Sequence, residues 1–244
     1  MPAVPSSTRR QLQRRQLDGF ELDTDAAVRA RSELAATGVG SEQIFEAHRT
    51  TDRDLAVAIL TDVSLSTDAW VDNRRILDVE KEAMLVLAHG LAGCGDAYAL
   101  YTFTSRRRED VRIETIKTFD ERLGDTVERR IAALRPGAYT RIGTALRHVA
   151  RQLRDRPEAY RLILLLTDGK PNDMDHYEGR YGIEDTRMAV REARRSGLRV
   201  FAITIDQKAR DYVPYLFGRG GYAIISHVAR LPSALPLLYR HVTE

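Results

Sequence analysis

The hydrophobic residues of this chain fall into short continuous runs, separated by longer segments with helical spacing. The runs at 55–60 and 162–166 contain only apolar residues, as expected for strands that are covered on both faces. Between such runs, apolar residues recur every three or four positions, which indicates amphipathic helices. This alternation predicts an α/β fold with a doubly wound, mostly parallel six-stranded sheet flanked by helices.

The same pattern gives approximate bounds for each element. We predict six strands, at 55–60, 96–104, 111–119, 160–167, 198–205 and 222–226. We predict the helices between and after them at 73–92, 125–134, 144–154, 184–196, 209–217 and 231–243. A helix at 23–36 and an edge strand at 41–49 come earlier, after a polar, arginine-rich segment at 1–20 that we interpret as a linker. The predicted organisation is a short N-terminal polar and helical extension over 1–48 and an α/β domain over 49–244.

Polar side chains follow or precede the predicted elements at three places. Asp62, Ser64 and Ser66 come after the first apolar run, Thr140 lies ahead of a predicted helix, and Asp168 follows the run at 162–166. Ligands of doubly wound sheets bind beyond the carboxyl ends of the strands. The alternation of Asp62, Ser64 and Ser66 lets their side chains converge, and the other two can join from neighbouring loops. Such oxygen ligands suit a hard divalent cation, with Mg²⁺ expected and Mn²⁺ or Ca²⁺ as alternatives.

Simpler explanations exist for each of these residues. Asp and Ser after a strand often form Asx turns or cap helices. Thr144 competes with Thr140 as a ligand. His176 lies near two aspartates, but no second histidine stands at the spacing that a zinc site requires.

The sequence Asp-x-Ser-x-Ser at 62–66, followed by a Thr and then by an apolar strand ending in Thr-Asp-Gly, resembles the metal-ion-dependent adhesion site (MIDAS) of von Willebrand factor A (VWA) domains. The resemblance covers the chain from about residue 54 onward. It implies a non-catalytic domain whose ion binds a carboxylate of a partner protein at an open coordination position. It further implies that Ser64, Ser66 and Thr140 bind the ion directly, and that Asp62 and Asp168 act mainly through water.

A second resemblance lies in the long segment from Leu165 to Thr186, which begins Leu-Leu-Thr-Asp-Gly-Lys-Pro-Asn-Asp. This segment is similar to the C-terminal domain of the NorD and CbbO activation proteins. Those proteins work with a hexameric AAA+ ATPase of the MoxR class, NorQ or CbbQ. The resemblance implies an adaptor that couples such an ATPase to a target enzyme, either nitric oxide reductase or rubisco. The relatives carry a large N-terminal region, so we expect this chain to be either an excised domain of such a protein or a short version of it.

The polar loop after Asp168 has two interpretations. One is a rim around the ion that recognises the partner, formed by Arg141, Lys170, Asn172, Asp173, Tyr177 and Arg180. The other is a solvated loop with internal ion pairs, in which Arg141 pairs with Asp173 or Glu178. We expect Trp70 to be buried beneath the site.

Composition narrows the function classes. The chain is 43% hydrophobic and 30% charged, with a formal net charge of +3, so it can form an ordinary core and lacks the charge excess of a nucleic-acid-binding domain. One cysteine excludes an internal disulfide and favours the cytoplasm. Residues 1–15 lack an apolar core and no stretch of 18 apolar residues occurs. We therefore expect neither a signal peptide nor a membrane span.

An enzyme remains the alternative function. The end of the first strand superficially resembles that of the haloacid dehalogenase phosphatases. In this alternative the chain is a Mg²⁺-dependent phosphohydrolase and Asp62 is its nucleophile. Those enzymes need a second carboxylate two residues later, where Ser64 stands here. The chain contains no GxxxxGK[ST] phosphate-binding loop and no evident Ser-His-Asp set. A third interpretation is a structural VWA domain without an ion.

Overall fold

The computed structural model describes residues 9–18, 21–38, 40–51, 54–71, 73–205, 207–225, 227–234 and 239. The chain forms two compact units, whose main segments are Ala3–Arg53 and Asp54–Glu244.

The first unit is a small antiparallel sheet with one helix. Its elements are β1 (Arg9–Gln16), β2 (Glu21–Leu22), α1 (Thr24–Thr37) and β3 (Phe45–Thr51). The sheet order is β1-β3-β2. Asp23 caps α1, because its carboxylate accepts a hydrogen bond of 3.1 Å from the backbone N of Ala26. The predicted helix is present as α1. The strand predicted at 41–49 is present as β3, but the prediction that it is an edge strand is wrong, because β3 is the central strand of this sheet. The linker prediction is wrong over 9–16, since this segment pairs with β3.

The second unit carries the large sheet. Its strands are β4 (Leu55–Asp62), β5 (Trp70–Val71), β6 (Arg74–Arg75), β7 (Ala97–Ser105), β8 (Val111–Lys117), β9 (Tyr160–Thr167), β10 (Arg199–Thr204) and β11 (Tyr222–Ile224). Its α-helices are α2 (Ile76–Cys94), α3 (Asp125–Ala132), α4 (Ile142–Arg154), α5 (Gly179–Arg195) and α6 (Val213–Phe217). Short 3-10 helices cover Leu65–Asp68, Gln207–Asp211 and Val228–Arg230.

The strand order of the large sheet is β11-β10-β9-β4-β7-β8. Five strands run parallel and β8 is an antiparallel edge, which confirms the predicted fold class. After β4, the strands β7 and β8 are added on one side of it, and β9, β10 and β11 are then added on the other side. The order therefore reverses between β4 and β9, and a ligand site is expected where these two strands end.

The core has two layers, one on each face of this sheet. Along β4 the side chains alternate, so that Leu55, Val57 and Ile59 join the layer that contains α2 and α3. Ala56, Ala58 and Leu60 face the layer with α4, α5 and α6. A strand covered on both faces must be apolar throughout, which explains the continuous run at 55–60.

Several element bounds differ from the prediction. Helix α2 ends at Cys94 rather than at residue 92, with Gly95 as its cap at a φ of +71°. Helix α5 begins at Gly179 rather than at 184. Of the predicted last helix, residues 231–234 are helical, and most of the remainder lies outside the described residues. Within the described part of the chain, no helix combines the length and apolar character needed to cross a membrane.

Candidate metal centre

The three predicted polar segments lie together at the carboxyl ends of β4 and β9. Asp62 is the last residue of β4, and the 3-10 helix Leu65–Asp68 that follows carries Ser66. Asp168 comes directly after β9. Thr140 lies two residues before α4 and pairs its backbone with Asn172, in the loop after Asp168. All five predicted ligands are therefore brought together by the switch in strand order.

Hydrogen bonds connect the five side chains in a continuous series. The Thr140 hydroxyl lies 3.5 Å from Asp62 Oδ1, which also accepts a hydrogen bond of 2.9 Å from the backbone N of Ser64. The hydroxyls of Ser64 and Ser66 are 2.8 Å apart, and Ser66 Oγ donates to Asp168 Oδ1 at 2.9 Å. Neighbouring ligands of an octahedral Mg²⁺ at about 2.1 Å would be about 3 Å apart. The separations of 2.8 and 2.9 Å that join the oxygens of Ser64, Ser66 and Asp168 fit such an ion.

Backbone hydrogen bonds fix the three loops to one another through the 137–140 segment. Gly137 N donates to Val63 O at 2.5 Å, and Leu65 N donates to Ala138 O at 2.8 Å. At the other end of the segment, Thr140 and Asn172 exchange two backbone hydrogen bonds of 2.8 and 3.0 Å. This segment therefore holds the loop after β4 on one side and the loop after β9 on the other.

Burial varies across the site. Asp62, Ser64 and Thr140 are buried, whereas Ser66 is exposed and Asp168 is half-buried. The competing candidate Thr144 is exposed in the first turn of α4. An ion held by these residues would be closed off on the protein side and accessible beside Ser66 and Asp168.

The metal-free site places the buried carboxyl group of Asp62 beside the carboxylate of Asp168. Burial, followed by the nearby Asp168 carboxylate, raises the pKa of Asp62 from its ordinary value of 3.8 to about 8. Hydrogen bonds from Ser64 and Thr167 act in the opposite direction. A divalent cation would reverse this balance, because it stabilises the ionised carboxylates.

Two further residues of this region were not predicted. Thr167, the last residue of β9, donates a hydrogen bond of 3.1 Å to Asp62 Oδ2 and so orients that carboxylate. Glu80 of α2 is only 2% exposed, and burial together with Asp168 and Asp62 raises its pKa well above the ordinary value. The sequence did contain an indication for Glu80, because it lies one turn after Ile76 on the apolar stripe of the helix.

Three residues of the predicted rim, namely Arg141, Asp173 and Tyr177, are buried. They therefore do not form an accessible rim in this structure. Arg141 pairs with Asp173 at 3.2 Å and with Asp175, and its guanidinium carbon lies 4.1 Å from the centroid of the Tyr177 ring. The Tyr177 hydroxyl donates to Asp185 at 2.5 Å. The interpretation as an internal ion pair is the one that fits Arg141, with Asp173 as its partner.

The remaining residues of the predicted rim are exposed. They are Lys170, Asn172 and Arg180, the last of which lies on α5 rather than in the loop. Trp70 is 70% exposed, so the prediction of a buried Trp70 is wrong. The two-residue strands β5 and β6 hold it in a hairpin, and Arg75 of this hairpin donates to Asp68 at 2.7 Å. Leu65, between the two serines, is exposed as well.

A zinc site of the His and Cys type has no support. Within the described residues, no group of three or more His, Cys, Asp or Glu side chains could hold a metal. His176 is exposed. Two carboxylates and three hydroxyls instead match the hard-cation chemistry expected from the sequence.

Comparison with known proteins agrees with this geometry. The family model described as von Willebrand factor type A domain matches residues 57–215. A relative from Brucella melitensis, Protein NorD, is 60% identical over 231 residues, which are 95% of this chain and 36% of the relative. The chain therefore spans about a third of the length of this relative.

Solved structures share the fold. The PilB minor pilin from Streptococcus sanguinis matches with a TM-score of 0.61 at 15% identity, over 85% of this chain and 66% of the pilin. The proximal thread matrix protein 1 from the mussel byssus, in a structure with a zinc-occupied MIDAS motif, matches with a TM-score of 0.55 at 20% identity, over 77% of this chain and 47% of that one.

Proposed function

The chain belongs to the von Willebrand factor type A family, and from that premise we propose that it is a metal-dependent protein-binding domain. One divalent cation, Mg²⁺ in the first place, would be held by Asp62, Ser64, Ser66, Thr140 and Asp168. The ion would bind a carboxylate of a partner protein. The domain would act as a non-catalytic adaptor for a MoxR-class AAA+ ATPase of the NorQ or CbbQ type.

The observation that carries this proposal is the convergence of the five oxygen-bearing side chains at the switch point of the sheet. The two residues at the open side, Ser66 and Asp168, are the ones that solvent reaches. Hydroxyl ligands neutralise less of the ion's charge than carboxylates do, so the ion would remain attractive to an incoming anion. The similarity to Protein NorD supports nitric oxide reductase as the target enzyme, and rubisco is the alternative.

The exposed residues beside the site give the partner-binding surface. Lys170 and Arg180 can attract a negatively charged partner over a distance. Leu65 lies between Ser64 and Ser66, and Trp70 follows the same 3-10 helix, so both add exposed apolar area to this loop. Exposed aromatic side chains of this kind often dominate binding energy at protein interfaces. We therefore propose that the partner presents a carboxylate flanked by apolar side chains.

The alternative function, a phosphohydrolase with Asp62 as nucleophile, is less compatible with the geometry. Asp62 is fully buried. Its two carboxylate oxygens accept hydrogen bonds from Ser64 N and from the Thr167 hydroxyl. A nucleophile has to reach the substrate phosphorus in line, and this carboxylate is enclosed on the protein side of the site.

A titration of matched variants tests the proposal. Calorimetry with MgCl₂ should give one saturable site in the wild type, and Ser66→Ala and Thr140→Ala should each bind at least tenfold more weakly. Thr144→Ala is the matched control, because it removes an equivalent threonine hydroxyl from an exposed position in the first turn of α4. This variant should bind Mg²⁺ like the wild type.

The adaptor role needs a second measurement. The chain should retain a purified MoxR-class ATPase, or the target enzyme, on an affinity resin in the presence of Mg²⁺ and release it in EDTA. Ser66→Ala should fail to retain it, and Thr144→Ala should retain it. Equal retention by all variants with and without EDTA would contradict the proposal, as would phosphatase turnover that Asp62→Asn abolishes.

A further inference from the structure

Glu80 is a buried acid that the five-residue site does not use. It lies in α2, whose neighbouring buried residues Ile76, Val79, Ala83 and Met84 are all apolar. A carboxyl group at such a position loses its hydration and needs a compensating partner. None of the described residues makes a hydrogen bond with Glu80 Oε2, although this atom is inaccessible to solvent. An unpaired buried polar group of this kind destabilises a fold by about 1 to 3 kcal/mol.

The location of Glu80 suggests what its partner is. Ile76, at the start of α2, donates its backbone N–H to Ala69 O at 3.0 Å, directly after the 3-10 helix that carries Ser66. Glu80 lies one turn further along, on the same face of α2. The carboxylates of Asp62 and Asp168 both act on Glu80 electrostatically. Helix α2 thus begins against the loop that carries Ser66, and Glu80 lies one turn into this helix.

From this arrangement we infer that Glu80 is a positioning residue of the metal centre, whose free oxygen accepts a hydrogen bond from the water shell of the bound ion. The inference rests on the proposed metal site and extends it by one residue. Mg²⁺ in proteins usually keeps several of its waters. Carboxylates behind the direct ligands orient such a shell, and their loss typically weakens metal binding 10- to 100-fold.

The charges of the site support the same role. Without an ion, three acidic groups, Asp62, Asp168 and Glu80, lie within electrostatic reach of one another in a poorly hydrated place. A divalent cation compensates two of the three charges. Glu80 would then contribute attraction for the ion without occupying a coordination position, which leaves the open side free for a partner carboxylate.

Two variants of Glu80 test the inference with MgCl₂ as the probe. Glu80→Gln keeps the shape of the side chain and removes the charge, and Glu80→Met removes the polar group. Both should weaken Mg²⁺ binding in calorimetry by 10- to 100-fold. Both should also reduce the rise in Tm that Mg²⁺ produces, since this rise follows the affinity. Glu82→Gln, on an exposed position of the same helix, should bind Mg²⁺ with unchanged affinity.

Unfolding of the metal-free protein separates this role from a merely structural one. Without Mg²⁺, both Glu80 variants should be as stable as the wild type or more stable, because an uncompensated buried acid has been removed. Reduced metal-free stability with wild-type Mg²⁺ affinity would overturn the inference, as would unchanged affinity of Glu80→Gln. If the wild type itself gives no saturable Mg²⁺ binding, the proposed function fails together with the inference. If the wild type binds Mg²⁺ saturably and the Glu80 variants bind it with the same affinity, the inference fails and the proposed function stands.

Discussion

The pKa of Asp62 leads to a prediction about stability that requires no partner protein. Asp62 is fully buried, and burial and Asp168 raise its pKa from 3.8 to about 8. Between these two values the folded protein holds a proton that the unfolded chain releases. A raised pKa of this kind contributes stability that is fully present below pH 4 and is lost as the pH rises towards and through 8. The metal-free protein should therefore become less stable between pH 5 and pH 7.

The expected magnitude follows from the pKa difference. One proton held only by the folded state changes the free energy of unfolding by up to about 1.4 kcal/mol per pH unit. Between pH 5 and pH 7 the contribution of Asp62 is on the order of 2 to 3 kcal/mol. Glu80, whose pKa is also raised, acts in the same direction. Asp62→Asn cannot ionise, so the variant should show a shallower pH dependence and should exceed the wild type in metal-free stability near pH 7.

Urea unfolding in EDTA, followed by far-UV circular dichroism at pH 5, 6 and 7, measures this effect. Asp155→Asn is the control, because Asp155 is exposed and caps the C-terminal end of α4, at the opposite end of this helix from Thr140. This variant should follow the wild-type curve. Addition of MgCl₂ should flatten the wild-type curve, since the ion binds the ionised carboxylate. Parallel curves for the wild type and Asp62→Asn would refute the reasoning, because Asp62 would then carry no unusual proton.

Three further predictions concern packing and the surface. Arg141→Met leaves Asp173 as an unpaired buried charge and should lower the free energy of unfolding by roughly 3 to 5 kcal/mol in urea titrations; a loss below 1 kcal/mol would contradict the buried ion pair. Gly143→Ala places a methyl group against the Asp185 carboxylate and the Tyr177 hydroxyl and should lower the free energy of unfolding by about 1 to 3 kcal/mol. Gly90→Ala is the control, because its methyl group meets no atom within 4 Å in the middle of a helix. This variant should be neutral or more stable by up to about 1 kcal/mol. Trp70→Ser should change stability by less than about 0.5 kcal/mol and weaken retention of the partner at least tenfold; unchanged retention would exclude Trp70 from the interface.

The sequence predicted the fold because its strongest patterns are local. The runs at 55–60 and 162–166 are apolar since the central strands are covered on both faces, and each polar segment of the site directly follows or precedes a regular element. The convergence of Asp62, Ser64, Ser66, Thr140 and Asp168 could therefore be anticipated before any contact between them was known.

Features that depend on contacts between distant segments were missed. The sequence of β1 does not alternate apolar and polar residues, so only its pairing with β3 identifies it as a strand. The early start of α5 depends on Gly182, where a side chain would come within 3.0 Å of the carbonyl oxygen of Pro171. Sequence patterns register this glycine only as a weak helix former. The burial of Arg141 likewise depends on carboxylates more than thirty residues away.

Trp70 shows a different limit. A lone tryptophan in a protein is usually largely buried, and composition alone offered no reason to expect otherwise. Its exposure results from the tight hairpin that joins the 3-10 helix to α2, in which Trp70 pairs with Arg75. The direction of a side chain in such a short connection is set by the turn and not by hydrophobicity.

The hydrogen bonding of the 137–140 segment has a mechanical consequence. The segment is hydrogen-bonded to Val63 and Leu65 on one side and to Asn172 on the other. A force applied to an ion held there would therefore be distributed over several loops. The load would pass into β4 and β9, the two innermost strands, along many backbone hydrogen bonds that share it in parallel. The metal site should therefore keep its geometry under force until the pairing of β4 with β9 itself breaks.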